Sequence, residues 1–316
     1  MYPENIKPFC LFISGPTASG KTAVSLLLAA WLGAEIISAD SRQIYKGMRI
    51  GTAMPTEKEL RSVKHYFVNE RNPDEPFSAG EFGMLTRKII DQKIEAGRSV
   101  IVCGGSGLYI QAVLGMISDR LKSDSVLRTD IGRRAQKEGW DVLYRELQSM
   151  DPAYAESIDP RNPKRIARAL EIVYLSHGKH SKKMNTDAMC FPHPKLHIGL
   201  EIERGQLYRR INERVLSMID AGWVEEVRQL LEKGYTPDMN ALNTVGYKEI
   251  IAYLQGTYDL DKAVSEIQKH TRHFAKRQMT WFRKYAPDIR IDVNDQTPPA
   301  STAEQIKKHI WQTFGE

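Results

Sequence analysis

Cysteine is scarce in this chain of 316 residues, which holds only Cys10, Cys103 and Cys190. Their number is odd and their positions are scattered without C-x-x-C spacing, so neither a disulfide framework nor a cysteine zinc site is indicated. A reducing compartment, the cytoplasm, is the expected location. No apolar run reaches the roughly 18 residues that a membrane-spanning helix needs. The opening MYPENIKPF lacks a charged stretch followed by an apolar one, so neither membrane insertion nor export is expected. Acidic excess is also missing. The 45 Lys and Arg against 39 Asp and Glu leave a formal charge of +6, which leans toward an anionic partner. There is no internal repeat and no low-complexity tract. With 41% apolar residues the chain can bury a full core, and its length suggests two domains or one domain carrying an insertion.

The most informative stretch is GPTASGKT, comprising Gly15, Pro16, Thr17, Ala18, Ser19, Gly20, Lys21 and Thr22. It fits G-x-x-x-x-G-K-[ST], follows the apolar run Phe9 to Ile13, and opens the apolar helical pattern Ala23 to Leu32. This strand, loop and helix context is the one that a phosphate-binding loop requires. Glycines let successive backbone N–H groups point inward, Lys21 can neutralise phosphate oxygens, and the Thr22 hydroxyl can join a Mg²⁺ shell. The helix N-terminus adds partial positive charge.

Glu35 to Ala39 reads as a second strand, which places Asp40 at its carboxyl end, facing the phosphate loop. Asp40, Ser41, Arg42 and Gln43 bring a base, a hydroxyl, a cation and an amide together; helix capping by Asp40 is the structural alternative. Gly47 to Pro55 reads as loop and Phe77 to Ala96 as a helix. A third buried strand, Ser99 to Cys103, runs into Gly104-Gly105-Ser106-Gly107 and the helix Leu108 to Leu114. This second glycine junction would widen the anion-binding mouth. Charged helical segments follow at Ser125 to Lys137, Trp140 to Gln148 and Pro163 to Leu175, a helical insertion in an α/β core. Arg161, Lys164, Arg165 and Arg168 cluster at one helix start, against the macrodipole, and so answer to an external anion or to solvent.

Leu196 to Ile202 alternates and returns the chain to the sheet. Helices are expected over Gln206 to Ala221, with Arg210 and Arg214 on one face, and over Val224 to Glu232. A long one spans Leu260 to Tyr285. Between Lys269 and Lys284 it carries six cations and no carboxylate, interleaved with Phe274, Trp281 and Phe282. Basic plus aromatic on one helix is a nucleic-acid footprint, and the competing reading is a core-packing helix with a solvated basic face. Ile289 to Val293 reads as a last strand and Thr302 to Thr313 as a closing helix.

GPTASGKT, ADSRQIYKGMRIGTAMP, VCGGSGLYIQAVL, RIARALE, RINERV, NTVGYKE and AKRQMTWFRKY stand in one order. Together they resemble the bacterial tRNA dimethylallyltransferase, or tRNA isopentenyltransferase, family over nearly the whole chain. The resemblance implies an α/β fold: a P-loop core with a parallel sheet flanked by helices over 1–115 and 195–316, and a mostly helical insertion contacting tRNA over 116–194. It implies transfer of the dimethylallyl group of dimethylallyl diphosphate to N6 of adenosine 37 beside the anticodon, with Mg²⁺ and with release of diphosphate. On the matching positions, Gly15 to Thr22 hold donor diphosphate and Thr22 the metal, while Asp40 is general base and Ser106 and Arg214 are catalytic. Arg210, close to Arg214, is the alternative diphosphate contact. The tRNA contacts implied are Asp40, Ser41, Arg42, Gln43, Ser106, Arg128, Lys164, Arg165, Arg168, Asn243, Gly246, Lys248, Lys276, Arg277, Gln278 and Arg283. Ser106 replaces the family's usual threonine and keeps its hydroxyl; SDSVLR, holding Arg128, replaces its common ADPxVR. A monomer is expected.

The chemistry suits these residues. An exocyclic adenine amine is a poor nucleophile, so a carboxylate placed to take its proton is useful. N–H groups, Lys21 and Mg²⁺ would stabilise the departing diphosphate, and a loop base costs less to unstack than a paired one. Two other readings use the same loop: a kinase phosphorylating a small nucleoside or metabolite, with Asp40 as base, and a noncatalytic RNA-binding protein whose loop only switches its shape.

Overall fold

The computed structural model describes residues 5–116, 124–176 and 191–315; Cys190 lies outside them. The chain divides into two compact units, Met1–Val113 with Pro192–Glu316, and Leu114–Phe191.

The larger unit is built on one sheet of six strands: β1 (Cys10–Ser14), β2 (Glu35–Ser38), β3 (His65–Tyr66), β4 (Val100–Gly104), β5 (Lys195–Ile202) and β6 (Ile289–Val293). Their order is β3-β2-β4-β1-β5-β6 and every pairing is parallel. β1 and β4 are buried at every position because helices cover both faces of the sheet. The same cover corrects the reading of β5 as an alternating strand. It lies between β1 and β6, and His197 and Gly199 are as buried as the apolar residues between them. A Cβ at Gly199 would come within 2.5 Å of the Pro287 ring, so glycine serves close packing there.

Parallel strands bring the loops after β1, β2 and β4 to the same edge of the sheet, where ligands bind in open α/β folds. β1 ends in register with the last residue of β4, Ser14 opposite Gly104, and Ser38 of β2 lies opposite Cys103. The helices of this part are α1 (Lys21–Leu32), α2 (Glu57–Ser62), α3 (Ala79–Glu95) and α4 (Gly107–Val113). α2 and β3 escape periodicity arguments. α2 is one polar turn and a half held by a Thr56–Glu59 capping box, with no buried residue, and β3 has two residues.

The smaller unit holds α5 (Ser125–Glu138), α6 (Trp140–Met150), α7 (Pro152–Glu156) and α8 (Pro163–Leu175), packed around Ile131, Leu143, Leu147, Ile166 and Leu170. Its described residues contain no strand. Glu171 is fully buried and accepts hydrogen bonds from the Asp124 N–H at 2.7 Å, Arg128 Nε at 2.9 Å and Arg168 Nη1 at 2.8 Å.

The larger unit then continues with α9 (Arg204–Asp220), α10 (Trp223–Glu232), α11 (Tyr247–Leu254), α12 (Leu260–Lys284) and α13 (Pro299–Phe314). Asp259 starts α12 by accepting from the Lys262 N–H at 2.7 Å. α12 buries Ala263, Ile267, Ala275, Gln278 and Phe282 along one stripe. No helix among the described residues is long and apolar enough to cross a membrane.

Candidate active site

The phosphate loop runs from the end of β1 into α1, and its backbone carries left-handed residues at Ala18 (φ 63°) and Gly20 (φ 87°). Such a conformation costs a residue with a Cβ about 1–2 kcal/mol, which the surrounding loop must offset at Ala18. Lys21 folds back so that Nζ donates to the Pro16 carbonyl at 2.6 Å. Burial pushes its ammonium down to about 8; the positive charge of Arg214 adds to the fall, while Cys103 and Asp40 oppose it. The buried Ser19 hydroxyl has no hydrogen-bond partner. A loop that buries a cationic lysine and leaves a hydroxyl unsatisfied is suited to receive an anion.

Asp40 follows β2, and the backbone places it. The Ala39 N–H donates to the Cys103 carbonyl at 2.8 Å, and the Ser106 N–H donates to the Ala39 carbonyl at 3.1 Å, so the turns after β2 and β4 are stitched together beside Asp40. Gly104 permits this approach, since a Cβ there would sit 2.1 Å from the Ala39 oxygen. Asp40 Oδ1 accepts from the Arg42 N–H at 2.8 Å, which fixes the carboxylate and leaves its second oxygen for other work. The cap-like bond and an outward-facing oxygen therefore coexist. Gln43 is structural: it accepts from the Ser38 hydroxyl at 2.9 Å and donates to the carbonyls of Thr52 and Ala53, each at 3.2 Å. Arg42 donates to the Asn240 carbonyl at 2.6 Å.

Two cavities open on this edge. One, of about 520 Å³, is lined by Gly20, Lys21, Thr22, Ser38, Cys103 and Arg210 among others. The second, of about 360 Å³, is lined by Ser41, Arg42, Ser106, Trp223, Tyr247, Arg277 and Trp281 among others. Thr17, Asp40, Thr52, Gly105, Arg214, Phe274 and Gln278 line both. Asp40 and Arg214 thus stand where a polar, phosphate-loop chamber meets an aromatic one. Among the described residues Arg214 has no hydrogen bond or ion pair, and burial holds its guanidinium below the ordinary value, partly offset by Asp40. Arg210, by contrast, is paired with Asp295 at 2.7 Å. Geometry therefore separates the two arginines of RINERV: Arg214 is the one left for a ligand.

The structure treats the expected tRNA residues unequally. Lys276, Arg277 and Arg283 are exposed on α12 and have no carboxylate partner among the described residues; Lys164 and Arg165 are exposed at the start of α8. Arg128 and Arg168 are instead tied to buried Glu171, so part of the charge cluster read as answering an external anion is neutralised internally. Lys248 lies 3.8 Å from Glu249, Asn243 is exposed, and Gly246 is buried against Trp223, which leaves no room for a Cβ. Gln278 is buried; its oxygen accepts from the Thr17 N–H at 2.8 Å and its nitrogen donates to the Gly105 carbonyl at 2.9 Å. Gly105 and Gly107 owe their lack of a side chain to α12. A Cβ would sit 2.3 Å from Gln278 or 2.2 Å from the Trp281 ring, respectively, so close packing against α12 is a further demand on that turn.

Sequence reasoning missed Glu226. Its carboxylate accepts from three successive N–H groups, Arg49 at 2.7 Å, Ile50 at 2.6 Å and Gly51 at 3.1 Å, and from the Tyr247 hydroxyl at 2.7 Å. This holds the 49–53 loop against the second cavity. Nothing in the spacing of WVEEVRQ marks Glu226 apart from Glu225 beside it.

A parallel α/β sheet with a glycine-rich loop ahead of α1, a lysine and an arginine facing one chamber, and a carboxylate at its mouth defines a protein of the P-loop fold. The chain belongs to the IPP transferase family, whose model matches residues 43–285. A Pelotomaculum thermopropionicum protein named tRNA dimethylallyltransferase is 42% identical over 309 residues, 98% of each chain. Its counterpart from Geobacillus kaustophilus is 40% identical over 94% of this chain and 95% of the relative. Among solved structures, the full-length tRNA isopentenylpyrophosphate transferase of Bacillus halodurans is similar with a TM-score of 0.69 and 34% identity, covering 97% of this chain and 98% of that one. A eukaryotic dimethylallyltransferase described as acting on tRNA has a TM-score of 0.82 and 26% identity, covering 95% and 77%.

Proposed function

We propose that the protein transfers the dimethylallyl group of dimethylallyl diphosphate to N6 of adenosine 37 in tRNA. The observation that carries this reading is the placement of Asp40 and Arg214 on the shared lining of the two cavities, one holding Lys21 and Thr22, the other aromatic and lined by Arg277 of α12. Donor diphosphate enters the first chamber, where Lys21, the loop N–H groups and Arg214 bind its oxygens. The extruded adenine enters the second, among Trp223, Tyr247 and Trp281. The N6 lone pair attacks the allylic carbon, the carbon–oxygen bond breaks with its electron pair leaving on diphosphate, and the N6 proton passes to Asp40. Lys21 and Arg214 take up the charge that grows on the leaving oxygen, in a pocket where burial has already removed their water.

A Mg²⁺ ion fits the donor set. Among the described residues no cluster of three His, Cys, Asp or Glu could hold a metal without the ligand's help. Mg²⁺ typically keeps several waters and binds through one or two protein groups plus phosphate oxygens. Thr22, at the first turn of α1 beside the loop, would supply such a group, and bound Mg²⁺ would neutralise diphosphate charge. In support of a reducing cytoplasm, Cys10 and Cys103 are buried unpaired thiols that burial pushes further from ionising. The reading takes the protein to work as a monomer.

Purified protein with Mg²⁺, tRNA and dimethylallyl diphosphate labelled in the prenyl group tests the reaction, with γ-labelled ATP in a parallel tube. Prenyl label on N6 of adenosine 37 is the expected result. Phosphate transfer to a small acceptor, with tRNA unlabelled, would overturn it.

A further inference from the structure

Gln278 does something its helix neighbours do not. From α12 it grips a phosphate-loop N–H, that of Thr17, and the carbonyl of Gly105 in the turn after β4, partners 261 and 173 residues away in sequence. The contact is built rather than incidental. Gly105 and Gly107 lack the left-handed φ that would otherwise call for glycine, yet a Cβ at either would collide with Gln278 or Trp281. The same helix presents Lys276, Arg277 and Arg283 to solvent with no carboxylate partner among the described residues, and Arg277 also lines the second cavity. α12 therefore carries an outward cationic face and, within one turn, an inward amide fixed to the loop that lines the donor chamber.

We propose that Gln278 is a positioning residue that couples polyanion binding on α12 to diphosphate binding in the phosphate loop. The inference rests on the proposed function for the identity of the polyanion, an RNA stem-loop. Hydrogen bonds weaken steeply as distance and angle depart from ideal, so a small shift of α12 when phosphates neutralise its cations re-aims Thr17 and Gly105 at the junction of both cavities. Coupling of this kind is reciprocal: whatever RNA does to diphosphate affinity, diphosphate does to RNA affinity. Thr17's N–H, engaged by Gln278, is held out of direct diphosphate contact, so the effect acts through loop geometry.

The test titrates magnesium pyrophosphate into wild type, Gln278→Met and Gln278→Glu, each free and saturated with a tRNA anticodon stem-loop. Gln278→Met keeps the volume and removes both hydrogen bonds; Gln278→Glu keeps an acceptor for Thr17 and loses the donor to Gly105. In wild type the pyrophosphate Kd should change on RNA saturation by a factor on the order of ten. In Gln278→Met that factor should fall to near one, while the RNA Kd measured without pyrophosphate changes little and the donor KM moves more than kcat. Gln278→Glu should lie between and serves alone if the methionine variant does not fold. An undiminished factor in a variant that melts like wild type, or no factor in wild type, overturns the inference. A wild type that shows the coupling yet leaves tRNA unprenylated would sink the proposed reaction and leave this inference standing.

Discussion

Asp40 and Lys21 are both readable as single residues, and each makes a separable prediction. Asp40→Asn keeps the hydrogen bond from the Arg42 N–H, because an amide oxygen accepts as a carboxylate does, but removes the basicity. Turnover should fall by roughly 10²- to 10⁴-fold with tRNA affinity nearly unchanged, measured by single-turnover kinetics and RNA titration. Near-normal rates would leave Asp40 as a turn residue only. Lys21, with its ammonium pushed down to about 8, is protonated below that value and neutral above it. A bound diphosphate favours the charged form, so its affinity should weaken as pH rises past 8, by about tenfold per unit at the limit. Lys21→Arg is the reference: a guanidinium does not titrate in this range, and the ratio of the two pyrophosphate Kd values should stay level below pH 8 and climb above it. A ratio flat to pH 9.5 would show that the lysine is not depressed.

Among the elements, α12 combines two features that spacing posed as alternatives. It is at once a core helix, through Ala275, Gln278 and Phe282, and a cationic surface, through Lys276, Arg277 and Arg283. A packed stripe and an exposed cationic surface therefore coexist on one helix, and that the cations meet RNA belongs to the proposed function. Phosphate contacts by exposed cations release counterions, so Lys276→Ala with Arg277→Ala should flatten log K for tRNA against log[salt] by roughly 1.4 to 1.8. Because both side chains are exposed, the melting temperature should hold. An unchanged salt slope would remove this face from the RNA interface. The turn after β4 teaches a related point. GGSG looks like an anion-binding junction, but two of its glycines answer to Gln278 and Trp281 pressing down from α12, a demand that originates more than 170 residues along the chain.

On the scale of the whole molecule, His197 in β5 couples the fold to pH. Its ring is buried, Nε2 lies 2.8 Å from the Ser14 hydroxyl, and burial pushes its pKa down to about 4, against a lesser upward pull from Asp288. In the unfolded chain an imidazole titrates near 6.5, so as pH falls below that value the unfolded state gains a proton that the folded state refuses. Stability should be lost progressively from about 6.5 down to 4, by up to an order of 3 kcal/mol at 1.36 kcal/mol per unit. His197→Gln should flatten this part of the melting-temperature profile between pH 7 and 5. A wild-type profile no steeper than the variant's would contradict it.

The amino-acid sequence by itself determined the order and kind of nearly all long elements, the phosphate loop, the candidate base after β2 and the helical run in the middle, because these depend on local periodicity and on residues within one strand-loop-helix junction. The last strand, read as Ile289 to Val293, is β6 to the residue. Short pieces were beyond it: α2 and β3 bury too little to leave a pattern. β5 was legible as a strand, but it is buried on both faces, so its apparent alternation misleads about its cover. Only the tertiary structure decided which cations are free. Arg210 and Arg214 are one helical turn apart and alike in sequence, yet Asp295, 85 residues on, neutralises the first and leaves the second to face Asp40. Glu171 and Gln278 likewise act on partners distant along the chain, and what a charged or amide side chain does depends on what the fold places opposite it, which local sequence does not encode.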